Sequence, residues 1–151
     1  MRYPPGVSQS DFDRAVRQFE SSIGAEWVFT DEADVDLYRD AYSPLWGEEE
    51  EKIPSIALAP QSAEEVQSLM AICNEFQIPV YPVSTGKNLG YGGSAPVLTG
   101  SVVLDLKRMN RIIEVNEENA FALVEPGVSY FDLYNYIQEK GLDLWIDCPD
   151  P

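Results

Sequence analysis

Apolar residues recur at helical spacing from Phe12 through Ala15, Val16 and Phe19 to Ile23, the pattern of an amphipathic helix with one buried face. Ser8, with Asp11 three residues on, caps its start, and Gly24 ends it. Trp27-Val28-Phe29 reads as a short strand, and Thr30 as the cap of a short acidic helix through Val35, Leu37 and Tyr38. From Asp40 to Lys52 no period survives, and the like-charge run Glu48 to Glu51 is expected to be a solvated loop. Ser55 to Ala59 is the next predicted strand. After Pro60, Ser62 stands three residues before Glu65, which predicts a capping box. The helix that follows carries Val66, Leu69, Met70 and Cys73 on one stripe, and Ile78 to Tyr81 is again a strand, so this is a β-α-β unit of parallel type. Ser101 to Leu106 is a continuous apolar run, as in a strand buried on both faces. Ile112–Asn116 and Ala120–Glu125 form a hairpin across Glu117-Glu118. Ser129 and Asp132 then cap a helix bearing Phe131, Leu133, Tyr134 and Ile137, with Gly141 as its stop. The fold class expected is α+β.

Composition narrows the chemistry. At 151 residues the chain is long enough for one domain with a real core, or for the front part of a larger protein. A formal net charge of -16 argues against nucleic acid or an anionic membrane as partner, since each phosphate contact needs a cation that is scarce here. The chain has no histidine, which excludes a Ser-His-Asp triad, a histidine-metal cluster or a histidine-linked cofactor built from these residues alone. Cys73 and Cys148 are too few and too far apart for a disulfide framework or a zinc site, and Cys73 fits the core. With no apolar leader segment and no stretch of membrane-spanning length, the expected location is the cytoplasm.

One stretch stands apart. Pro82 to Pro96 holds four glycines, Gly86, Gly90, Gly92 and Gly93, between two strands, together with Ser84, Thr85, Lys87, Asn88 and Tyr91. So glycine-dense a loop lets main-chain N–H groups approach an anion closely, the chemistry of a phosphate cradle. The spacing is neither that of a Walker loop nor of G-x-G-x-x-G. A long hairpin or crossover loop that uses glycine only to turn fits the same composition. The loop follows the carboxyl end of a parallel strand, the edge where open α/β sheets collect ligands.

The run Pro-Val-Ser-Thr-Gly-Lys-Asn-Leu-Gly-Tyr-Gly-Gly-Ser-Ala-Pro, then Gly100-Ser-Val-Val-Leu-Asp-Leu, Met109-Asn-Arg-Ile-Ile-Glu-Val-Asn, Glu125-Pro-Gly-Val-Ser-Tyr-Phe-Asp-Leu and Asp147-Cys-Pro-Asp, closely resembles the 4-phenol-oxidising flavoproteins. These are the vanillyl-alcohol oxidase, eugenol oxidase and p-cresol methylhydroxylase (PCMH) flavoproteins. The resemblance covers nearly the whole chain. It implies the PCMH-type FAD-binding fold, with residues 53–151 as its front part and residues 1–52 as a helical extension, cut before a second phosphate loop and a cap domain. It implies FAD as cofactor, its diphosphate held by Ser84, Thr85, Gly86, Lys87, Asn88, Gly90, Tyr91, Gly92 and Gly93, with Pro149 setting the backbone beside the flavin.

The reaction so implied is oxidation of para-substituted phenols by hydride transfer to flavin N5 through a quinone methide. Tyr91 would help hold the phenol as phenolate, which lowers the barrier to hydride loss. Asp150 would act near flavin N5, steering or deprotonating the attacking water. The partners implied are a phenolic small molecule, a cytochrome or azurin as electron acceptor, and further copies in a homo-oligomer. The same flavin fold acting on lactate or sugar-type alcohols, and a non-catalytic module, are the alternatives.

Overall fold

The computed structural model describes residues 2–86 and 94–147. The chain opens on helix α1 (Gln9–Ile23), where Ser8 Oγ accepts from Asp11 N at 3.1 Å and Gly24 closes the last turn. Strand β1 (Val28–Phe29) and helix α2 (Glu32–Val35) follow. The cap of α2 is Asp31, one residue beyond the expected Thr30, and after Val35 the chain tightens into a 3-10 turn, Asp36–Tyr38. Strand β2 (Ala57–Leu58), helix α3 (Ala63–Phe76), strand β3 (Val80–Val83) and strand β4 (Val102–Asp105) complete the first unit. A hairpin of β5 (Ile112–Asn116) and β6 (Phe121–Val124) leads to helix α4 (Tyr130–Lys140).

Four strands form a mixed sheet in the order β1-β2-β4-β3, with β2, β4 and β3 parallel and β1 antiparallel at one edge. The β-α-β unit is therefore present with β4 inserted between its two strands. Pro82 lies in β3, an edge strand, where a missing N–H costs no ladder bond. Alternation then sorts the side chains. Val28, Ile56, Leu58, Val102 and Leu104 meet Phe12, Ala15, Phe19, Leu69 and Cys73 of α1 and α3 in the main core. Ala57, Val83 and Val103 point the other way, into a smaller cluster closed by Tyr38. β4 is buried at all four positions, as the continuous apolar run requires. Burial pushes the Cys73 thiol up to about 12, so it behaves as an apolar core residue.

Three local expectations need correcting. At α3, Ser62 Oγ accepts from Glu65 N at 3.2 Å, but Glu65 turns back one residue further and accepts from Gln61 N at 2.8 Å, so the reciprocal box is not closed. The Glu48–Glu51 run is not uniformly solvated: Glu51 is buried, because both its oxygens bind Arg39 at 2.7 Å and one also accepts from Gly47 N at 2.7 Å. Helix α4 has the full capping box of Ser129 and Asp132, yet of its apolar stripe only Ile137 is buried, while Phe131 and Tyr134 face outward.

Candidate functional site

Because β2, β4 and β3 run parallel, their carboxyl ends share one edge of the sheet. Val83, last in β3, sits opposite Asp105, last in β4. From Val83 the chain passes through Ser84, which is exposed, to Thr85 and Gly86, which are half-buried. Gly86 takes φ +69°, a backbone state that side chains strain. A Cβ placed on Gly86 would lie 3.4 Å from Ser94 Cβ, so the loop leaves and returns at nearly the same point. Lys87, Asn88, Gly90, Tyr91, Gly92, Gly93, Pro149 and Asp150 lie outside the described residues.

The return path is fixed independently. A parallel neighbour can be reached only by carrying the chain back along the sheet, and the described part of this connection, residues 84–86 and 94–101, contains no helix. Gly100 N donates to Ile53 O at 2.8 Å, and Thr99 Oγ1 donates to Glu51 O at 3.3 Å. The backbone of Tyr3 presses on Gly100 so closely that an added Cβ would fall 2.3 Å from Tyr3 O. Only glycine fits there. A cleft of about 260 Å³ lies beside this return path, between Asp40, Ser43, Tyr81 and Pro96.

The edge has a second feature that the motifs did not single out. Asp105 is 4% exposed and closes the smaller core. Its Oδ2 accepts from the Tyr38 hydroxyl at 2.7 Å and lies 3.2 Å from Lys107 Nζ, while Oδ1 accepts from Lys107 N at 3.0 Å. Burial, and then the bond to Asp105, push the Tyr38 hydroxyl far above the ordinary tyrosine range, so it stays a donor. The one signal in the sequence was a lone charge inside the run Ser101–Leu106. Arg108 is committed too: it donates to Ala59 O at 2.6 Å and to Gln61 Oε1 at 2.9 Å, and stacks 3.5 Å over the Trp27 ring.

Both cations that follow β4 are thus already engaged. A diphosphate at this edge would meet main-chain N–H groups, which suits a loop stem with an exposed serine and a glycine at positive φ. Among the described residues no cluster of His, Cys, Asp and Glu is built to hold a metal ion. No helix among them is long and apolar enough to cross a membrane.

The family pattern described as an FAD binding domain matches residues 54–151. The chain is 40% identical over 148 residues to the 4-cresol dehydrogenase [hydroxylating] flavoprotein subunit of Pseudomonas putida, which spans 98% of this chain and 28% of that protein. The 4-ethylphenol oxidase of Gulosibacter chungangensis, solved as an isoeugenol complex, superposes with a TM-score of 0.91 at 44% identity, over 97% of this chain and 28% of that one. A D-lactate dehydrogenase [cytochrome] of Kluyveromyces lactis is 38% identical over 78% of this chain and 20% of its own length. The chain therefore spans less than a third of the relatives it matches. With the domain pattern covering residues 54–151 and a solved relative superposing at a TM-score of 0.91, the chain belongs to the FAD-binding-domain family and has the PCMH-type fold.

Proposed function

We propose that this chain holds the FAD diphosphate in a flavoprotein that oxidises para-substituted phenols. One observation carries the reading. Likeness to the 4-cresol dehydrogenase flavoprotein subunit and the 4-ethylphenol oxidase runs through 97 to 98% of the chain at 40 to 44% identity, whereas the lactate dehydrogenases match either over less of it, 78% at 38% identity in K. lactis, or at lower identity, 30% over 89% in Danio rerio. FAD would supply the hydride acceptor. The chain's own part is to hold its diphosphate by the N–H groups of the loop from Ser84 to Gly93, and to present Tyr91 and Asp150, with Pro149 setting the backbone beside the flavin. In this reading Tyr91 stabilises the phenolate and Asp150 handles the proton of the attacking water. Residues 53–151 form the flavin-binding part and residues 1–52 its extension.

The 151 residues alone are expected to bind FAD weakly and to lack turnover, since most of the relatives' length lies elsewhere and preorganisation is lost with it. Location in the cytoplasm, a cytochrome or azurin acceptor and a homo-oligomeric assembly belong to the same proposal. A second reading, a flavoprotein acting on 2-hydroxy acids, has the lactate dehydrogenase likeness in its favour.

The first test needs no substrate. Titration of the ¹⁵N-labelled chain with FAD, and separately with ADP as a bare diphosphate probe, should shift amide resonances of residues 84–86 and 94 and leave α3 unmoved. Silent loop amides at millimolar FAD would refute the diphosphate site. In the flavin-loaded holoprotein, anaerobic bleaching by 4-ethylphenol but not by D-lactate decides the substrate class, and the reverse result selects the second reading.

A further inference from the structure

We propose that Tyr38 and Asp105 form a positioning pair that sets the stem of the FAD loop, an inference that rests on the diphosphate reading above. The carboxylate is the only charged group in a strand buried at every position; it bonds Tyr38 of the smaller cluster, and its residue is in register with Val83 of that cluster. A buried carboxylate is unfavourable unless its oxygens are filled with donors. Here they are, by the Tyr38 hydroxyl at 2.7 Å, Lys107 N at 3.0 Å and Lys107 Nζ at 3.2 Å. An apolar side chain in this place would hold the core together with no such requirement.

What the polar pair adds is direction. It ties the Asp36–Tyr38 turn, far away in sequence, to the last residue of β4, and that residue is in register with Val83, from which Ser84, Thr85 and Gly86 emerge. Two loose ends are thereby joined at the root of the loop. Without the bond, Lys107 alone would hold Asp105, and the Asp36–Tyr38 turn would no longer brace the end of β4 opposite Val83, where β3 hands the chain to Gly86. Neither residue is assigned contact with FAD. Both act through the backbone of β3.

The test compares FAD affinity, by the amide titration, in the wild-type chain, Tyr38→Phe, Asp105→Asn and Ile23→Val, each far below its unfolding midpoint. Ile23→Val trims the opposite core face and serves as the stability control. Tyr38→Phe is expected to weaken FAD binding roughly tenfold, the size of one lost hydrogen bond to a charged group, and Asp105→Asn at least as much, with Ile23→Val unchanged. Wild-type binding that Tyr38→Phe leaves intact overturns the pair and spares the diphosphate site. Failure of the wild type to bind overturns both. If the variants do not fold, the wild type still answers, because coupling is reciprocal: FAD must slow exchange of the Lys107 amide, which donates to Asp105, more than that of the α3 amides. Equal slowing overturns the pair.

Discussion

Glu51 shows how one side chain can reverse the reading of its neighbours. Set in a run of four glutamates, it would join the solvated face if charge density decided the matter. Instead Arg39 offers two parallel donors at 2.7 Å and stacks 3.9 Å over Trp46, while the Gly47 amide adds a third donor. The Arg39 guanidinium, with help from Gly47 N–H and against the cost of burial, holds the Glu51 carboxyl below the usual range. A depressed native value means that the stabilisation is present above the unfolded value, roughly 4.3 for glutamate. It is lost progressively as pH falls through that value toward the native one. Glu51→Gln keeps the shape but turns an amide NH₂ toward the Arg39 donors, and should destabilise by about 2 kcal/mol at neutral pH. Urea unfolding from pH 7 to pH 3 checks both points. The variant should lie below wild type at pH 7 and converge on it in acid, and parallel curves would show that Glu51 does not carry this limb.

At the scale of elements, the turn after β4 joins the two sheets. Gly127, between β6 and α4, donates to Met109 O at 2.7 Å, and a Cβ there would come within 2.5 to 2.7 Å of the carbonyl oxygens of Leu106, Lys107 and Met109. Backbone cannot yield as a side-chain tip can. Gly127→Ala should therefore cost about 3 kcal/mol. Gly47→Ala, with open space around it but φ +80°, should cost about 1 kcal/mol for conformation alone. Equal losses by urea unfolding would refute the crowding argument. Periodicity located these elements well, because helices and strands with one buried face announce themselves by spacing: α1, β4, the β5–β6 hairpin and the caps of Ser8 and Ser129 all stand where apolar spacing and cap residues put them. Pairings between distant residues left no such trace. Nothing local in Tyr38 signals that its hydroxyl ends on Asp105, and nothing in Glu65 signals that Gln61 N lies closer to hand than Ser62 N. Gly86 was legible as a turn residue, but the closure of the loop on Ser94 is a property of the sheet that carries it.

For the molecule as a whole, the unevenness of burial matters most. The half built on α1, α3 and the four-stranded sheet has a buried apolar core, whereas the half built on β5, β6 and α4 leaves Ile113, Phe121, Leu123, Tyr130, Phe131, Tyr134 and Trp145 exposed. Phe131 and Trp145, at 79% and 83% exposure, flank a cleft of about 480 Å³ with Tyr134 and Ile146. A two-stranded hairpin and one helix are marginal by themselves, and the helical stripe that spacing marked for burial has no cover among the described residues. Two effects then compete when chains meet. Apolar surface of this extent favours association, while a net charge of -16 opposes it. The second is screened by salt and the first is not, the screening length falling from about 10 Å at 0.1 M to about 3 Å at 1 M. Sedimentation velocity should accordingly show a monomer at low salt and growing association toward 1 M. Phe131→Glu combined with Trp145→Glu should abolish that growth while leaving the urea midpoint within about 0.5 kcal/mol of wild type, since both side chains are already in water. Association that instead weakens with salt would mean that ion pairs, not the uncovered aromatic face, bring the chains together.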